Sequence, residues 1–236
     1  MDGRESASTG MATNSIKQKC EKKFPIRGIK GFGNNDANIL GKLGDPEPNR
    51  AAWVLVGGRS SRMGVDKAKA DSRGRALALR VADQTSATVG GRVSLVGDPS
   101  VYGDLGLPVV ADRFPHHGPL AGIEAALAAT ESEYNLIVAC DMPAIREDLL
   151  GELFLACGDC ALPQHADGRL EPLCAVYRRG CHQAIKSALE KGVRKVTDAL
   201  AELARDGYAI RYVRVSDPAA FANLNTPEDW RRYHHG

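Results

Sequence analysis

The sequence predicts an α/β fold, a mainly parallel sheet covered by helices on both faces. Three observations carry this. From residue 51 onward, short apolar runs alternate with longer segments of helix formers, the order a parallel sheet with crossover helices produces. Residues 134–140 are almost continuously apolar, as expected of a strand covered on both faces. The chain has 236 residues, 43% of them hydrophobic and 25% charged, ordinary for a globular protein with one good-sized domain or two small ones.

Residues 1–50 stand apart. They are rich in Gly, Asn, Ser, Lys and Asp, and Gly41-Lys-Leu-Gly-Asp-Pro-Glu-Pro-Asn-Arg50 reads as a linker, because Pro removes donors and Gly and Asn favour turns. We expect a disordered extension over 1–50, with Met11 as an alternative start, and one domain over 51–236. Within it, 53–56 reads as a short strand and 75–88 as a helix with Leu77 and Val81 on its apolar side. Strands follow at 93–96, ending at Gly97-Asp98-Pro99, and at 107–110. Gly118-Pro119 opens a helix to Ala129, with Pro at the first helical position, where its missing N–H costs nothing. After the strand 134–140 come a helix over 147–156, a strand over 173–177 and helices over 181–190 and 196–204. Residues 208–215 alternate like a strand, and Asn225-Thr226-Pro227 starts a closing helix.

Charge and composition exclude several classes. The net charge is +2, basic residues are scattered and aromatics are only 6%, which disfavours nucleic acid as a partner. No apolar stretch approaches the roughly 20 residues that cross a bilayer, and the N-terminus has no secretory apolar region, so we expect a cytoplasmic protein. Six cysteines are spread along the chain and read as reduced thiols. Cys157-Gly-Asp-Cys160 is a lone C-x-x-C. Zinc or redox work and ordinary structural cysteines are both open there, and the latter is the plainer reading.

The most informative segment is Val54-Leu-Val-Gly57-Gly58-Arg-Ser-Ser-Arg62-Met-Gly-Val-Asp-Lys67. An apolar run stops at two glycines, and a polar loop with Arg59, Arg62 and Lys67 follows. Glycines let backbone approach a ligand, and successive N–H groups of such a loop can face an anion. The spacing is neither that of a P-loop, G-x-x-x-x-G-K-[ST], nor the dinucleotide G-x-G-x-x-G. A phosphate cradle and a plain strand-to-helix turn both remain open on the loop alone.

In open α/β sheets ligands bind beyond the carboxyl ends of the strands. Two further strand ends carry suggestive groups. Asp112 follows 107–110 and is placed to orient a sugar hydroxyl or a base, or is simply a turn aspartate. Asp141 follows 134–140 and suits a hard cation such as Mg²⁺, which prefers oxygen ligands, or else caps the next helix. Asn225 offers a neutral ligand besides its place at a helix start.

Here a resemblance becomes specific. Gly57 to Lys67 resembles the signature loop of the molybdenum cofactor guanylyltransferase family of nucleotidyltransferases, which typically reads L-A-G-G-x-S-x-R-M-G-x-D-K. Asp112, Gly118-Pro-Leu-Ala-Gly122, Cys140-Asp-Met-Pro143, Glu171-Pro172-Leu173 and Phe221-Ala-Asn-Leu-Asn-Thr-Pro-Glu228 then fall in that family's order. The resemblance covers residue 51 to the C-terminus. It implies a three-layer α/β/α Rossmann-like nucleotidyltransferase fold with a mainly parallel mixed sheet. It also implies an Mg²⁺-dependent enzyme that transfers GMP from GTP to molybdenum-molybdopterin and releases pyrophosphate. Carried over by position, Leu55, Val56, Gly57 and Gly58 meet the nucleotide, the first three through backbone at the guanine. Lys67 contacts the triphosphate, Asp112 holds the nucleoside, and Asp141 binds nucleotide and Mg²⁺. Apart from the resemblance, loop position suggests that Arg62, with Lys67, neutralises the reacting phosphates, a plain surface arginine being the alternative; Lys69 lies near enough to share that charge, and Asn225 is a further candidate for the metal shell. Two departures stand out: Val56 replaces the usual Ala, and Leu95-Val96-Gly97-Asp98 lacks an Asn the family often places there.

Rival expectations are a CTP-dependent molybdopterin cytidylyltransferase, a sugar-phosphate nucleotidyltransferase, and a catalytically idle nucleotide-binding or docking protein. Residues 1–50 are a candidate docking segment for molybdenum-cofactor assembly proteins.

Overall fold

The computed structural model describes residues 49–57, 66–70, 74–224 and 226–235. The expected extension over 1–50 therefore lies almost wholly outside the described residues. So do Gly58, Arg62 and Asn225.

Alternation along β1 (Arg50–Leu55) organises the core. Ala52, Val54 and, just past the strand, Val56 face one apolar cluster, while Ala51, Trp53 and Leu55 face another. A strand buried on both faces sits mid-sheet, and β1 does so. The seven strands are ordered β3-β2-β1-β4-β6-β5-β7. β2 (Val93–Val96) and β4 (Tyr134–Ala139) flank β1 in parallel, and β3 (Val109–Val110) extends β2. Strand β6 (Cys174–Arg178) runs antiparallel to both β4 and β5 (Cys160–Gln164), and β7 (Ile210–Arg214) pairs parallel with β5. The sheet is thus mixed and mostly parallel, as expected.

Helices cover both faces. α1 (Leu77–Ser86), α2 (Pro99–Tyr102) and α4 (Glu147–Ala156) supply Val81, Tyr102, Leu150 and Leu153 to the first cluster. On the second face α3 (Pro119–Ala129), α5 (His182–Glu190) and α6 (Val196–Arg205) supply Leu120, Ile123, Leu127, Ile185 and Leu200. Each such side chain contributes about 1.5–3 kcal/mol on burial. The closing helix α7 (Pro227–His235) begins with a reciprocal cap: Asp229 N–H donates to Thr226 Oγ1, and Thr226 N–H donates to Asp229 Oδ2. Among the described residues no helix is long and apolar enough to cross a membrane.

Strand β5 was not expected. Cys160-Ala-Leu-Pro-Gln is short and holds Pro163, which usually argues against a strand inside a sheet. Here the β5–β6 ladder ends at Ala161, and Pro163 needs only its carbonyl, which accepts from Glu171 N–H at 3.1 Å.

The chain order dictates where a ligand fits. From β1 the chain steps outward through β2 and β3, then returns to the other side of β1 as β4. Neighbouring strands whose connections leave in opposite directions open a crevice at their carboxyl ends. That crevice lies between Val56-Gly57 and Cys140-Asp141.

Candidate functional site

Backbone contacts lock the two lips of the crevice together. Cys140 N–H donates to Leu55 carbonyl at 3.2 Å, and Val56 N–H donates to Val96 carbonyl at 2.9 Å. Leu55 carbonyl and Val56 N–H are therefore engaged within the sheet, and Gly57 is the exposed end of the stretch. The Val56 side chain is fully buried, in the cluster with Leu95, Tyr102 and Met142. The Val that stands for the usual Ala is thus packed into the core beneath the crevice.

Val56 also explains its neighbour. A Cβ on Gly97 would come within 2.2 Å of the Val56 carbonyl oxygen and 2.9 Å of the Val56 and Tyr102 side chains. Only glycine lets the end of β2 approach β1 this closely. The next residue, Asp98, caps α2: its Oδ1 accepts from Ser100 N–H at 2.8 Å and Ser100 Oγ at 2.6 Å, which holds its carboxyl below the usual range. Asp98 stands where an Asn is often found in the family that the sequence resembles, and its carboxylate is occupied.

Asp141 does not cap α4; that place is taken by Arg146, without a side-chain cap bond. The carboxyl of Asp141 is half-buried, and desolvation raises it above the ordinary aspartate range. The Lys67 ammonium pulls it back down, and Glu171 pushes it up. Lys67 likewise lowers the thiol of Cys140, which burial, Asp141 and Asp66 together push up to about 12. Lys67 and Asp141 are thus electrostatic neighbours, brought together from opposite lips. Asp66, one residue earlier, accepts from Ala68 N–H at 3.0 Å; burial, and next the hydrogen bond to Asp66, raise the Tyr102 phenol. Lys69, expected to share charge with Lys67, has its Nζ 2.9 Å from the exposed carboxylate of Asp104.

Asp112 lies at the end of β3 on the same sheet edge. Its Oδ1 accepts from Phe114 N–H at 2.7 Å, which fixes a turn and leaves the side chain exposed. Partial desolvation raises its carboxyl, and Glu124 adds to the rise. Glu124 itself was missed by sequence reasoning, although it is the one charge in the apolar helix α3. It is fully buried and receives hydrogen bonds from Arg113 and from His182 Nε2, the latter at 2.9 Å. The trio ties the Asp112 turn to α3 and to the start of α5.

A second missed group is His165 with Glu171. Their side chains are nearly buried, and Nε2 lies 2.8 Å from Oε1. The C-x-x-C pattern is not a pair: Cys160 Sγ lies 3.6 Å from Cys181 Sγ, while Cys157 Sγ faces the carbonyls of Gly158 and Val176. Among the described residues no group of three or more metal-binding side chains includes them.

With this geometry in place, comparisons with known proteins are specific. The family described as the MobA-like NTP transferase domain matches residues 52–204. A probable molybdenum cofactor guanylyltransferase of Pelotomaculum thermopropionicum is 38% identical over 186 residues, covering 75% of this chain and 87% of that protein. The molybdenum cofactor guanylyltransferase of Cereibacter sphaeroides is 35% identical over 187 residues, covering 76% and 92%. Among solved structures, molybdopterin-guanine dinucleotide biosynthesis protein A of Archaeoglobus fulgidus superposes with a TM-score of 0.66 at 26% identity, over 79% of this chain and 97% of that one.

Proposed function

This chain belongs to the MobA-like NTP transferase family, and from that premise we propose how its crevice transfers GMP from GTP to molybdenum-molybdopterin, with release of pyrophosphate. The named relatives, all guanylyltransferases of the molybdenum cofactor, support the reaction. One observation carries the site: the β1–β4 pairing, continued by the Cys140 N–H bond to the Leu55 carbonyl, sets Gly57 beside Cys140-Asp141, where the Lys67 ammonium lowers the Asp141 carboxyl against its burial.

The protein has little covalent work to do. An oxygen of the acceptor phosphate forms a bond to the α-phosphorus of GTP, the bond from that phosphorus to the β-phosphate oxygen breaks, and pyrophosphate leaves. Catalysis consists of aligning two anions and neutralising spreading charge. Leu55, Val56, Gly57 and Gly58 form the nucleotide-facing edge, with Gly57 as its exposed backbone, and Asp112 orients the nucleoside. Lys67 meets the triphosphate. Arg62, from the glycine loop, adds a second cation.

Asp141 fits a divalent cation. It is a half-buried carboxylate at a strand end, and hard oxygen donors are what Mg²⁺ takes. Asp141 would hold the ion, with Asn225 as a neutral partner; the ion supplies charge neutralisation at the phosphates. Residues 51–236 constitute the transferase domain, and the reaction is cytoplasmic.

The test is direct. The purified protein is offered each of the four nucleoside triphosphates with Mg²⁺ and molybdopterin, and pyrophosphate is measured. Release with GTP alone is expected. Preferential release with CTP overturns the guanylyl assignment, and release from none overturns catalysis.

A further inference from the structure

We infer that His165 and Glu171 form a clamp that positions Asp141, acting through a closed circuit of contacts without touching the nucleotide. The inference rests on the reading of Asp141 as the metal-binding carboxylate.

The circuit can be followed in both directions from Asp141. On one side, the Asp141 carbonyl accepts from Leu224 N–H at 3.0 Å. Three residues before Leu224, buried Phe221 meets the His165 ring edge-on, with centroids 5.4 Å apart. His165 Nε2 then lies 2.8 Å from Glu171 Oε1. On the other side, Ala139 N–H donates to Leu173 carbonyl at 2.8 Å, continuing the β4–β6 register past Val138 and Cys174. Asp141 lies two residues beyond Ala139 and Glu171 two residues before Leu173, so both acids lie just past the same end of that strand pair. The His165–Glu171 bond closes the ring.

The clamp is itself built to be stiff. His165 N–H donates to Arg169 carbonyl at 2.8 Å and Gly168 N–H to His165 carbonyl at 2.9 Å, making a tight turn. Arg169 also binds Glu171 Oε1. Residues that hold a metal ligand from behind commonly set its affinity by fixing its orientation.

The test separates this role from simple loss of structure. Affinity for a non-hydrolysable GTP analogue is measured with EDTA and with Mn²⁺, and the gain on adding Mn²⁺ is the readout. Glu171→Ala and His165→Ala are expected to lose about tenfold of that gain, with the metal-free affinity unchanged. Glu171→Gln, which keeps an oxygen acceptor for His165, is expected to retain most of it. Should the alanine variants fail to fold, His165→Phe keeps a ring on Phe221 and removes only the bond to Glu171. The inference is overturned if these variants keep the full gain while Asp141→Asn loses it, or if metal-free and metal-dependent affinities fall together. If Asp141→Asn itself keeps the gain, the metal role of Asp141 fails and the clamp falls with it.

Discussion

Leu224 donates its backbone N–H to the carbonyl of Asp141 at 3.0 Å. Asp141 lies near the middle of the domain's sequence and Leu224 near its end, yet this bond fastens the segment before the closing helix to the rim of the crevice. The segment before the closing helix therefore lines that rim. The side chains of Phe221 and Leu224 are buried, Phe221 within the first apolar cluster, so the segment is held by packing as well as by the hydrogen bond.

Asp141→Ala is expected to abolish Mg²⁺-dependent pyrophosphate release while leaving the circular dichroism spectrum unchanged, because the carboxylate is half-exposed and supports no helix cap. Normal turnover by this variant removes Asp141 from the reaction.

Lys67→Ala is expected to raise the KM for GTP by about tenfold or more, the scale of a lost charge-assisted hydrogen bond. A titration giving the unsubstituted affinity places Lys67 outside the triphosphate site.

Gly97→Ala puts a methyl group 2.2 Å from the Val56 carbonyl oxygen, and backbone cannot yield as a side-chain tip does. The strands must part, at a cost of about 2–3 kcal/mol or more, visible as a lower midpoint in urea. An unchanged midpoint contradicts the close approach of β1 and β2.

Glu124→Leu removes the buried acceptor shared by Arg113 and His182. Since both partners reach solvent in part, the loss is about 1–3 kcal/mol. Faster hydrogen exchange at Phe114, whose N–H is held by Asp112, is expected with it. Protection equal to that of the parent protein shows that the trio does not anchor the turn.

Burial pushes the thiols of Cys140 and Cys157 up to about 12 from an ordinary 9.0. A folded-state value raised in this way stabilises the fold fully below the ordinary thiol range. That stability is lost as pH climbs towards about 12. Denaturation midpoints should therefore hold steady to about pH 9 and fall above it. At about pH 8 these two cysteines should resist iodoacetamide in the native protein, because the thiolate is the reactive form; mass spectrometry of digests reads this out.

Much of this was legible in the sequence. Helix and strand positions followed from periodicity, and the two strand-end acids, Asp112 and Asp141, from the rule that α/β sheets bind at carboxyl edges. Strand β5 was not, because Pro163 and the preceding Gly158-Asp159 break its local signal, and only its partners β6 and β7 make it a strand. Glu124 could have been suspected as a lone charge in an apolar helix. His165 carried no signal at all: its meaning depends on Glu171 six residues later and on Phe221 from another part of the chain.

By itself the sequence determined the α/β class, the buried centre of the sheet and the family, because hydrophobic period and local motifs are written in neighbouring residues. The tertiary structure alone decided that Asp141 is no helix cap, that Lys69 pairs with Asp104, and that Val56 packs beneath the crevice. It also closed the ring from Leu224 through His165 to Glu171. These are contacts between residues far apart in the chain, set by strand order and register, and no local pattern encodes which distant groups a sheet will bring edge to edge.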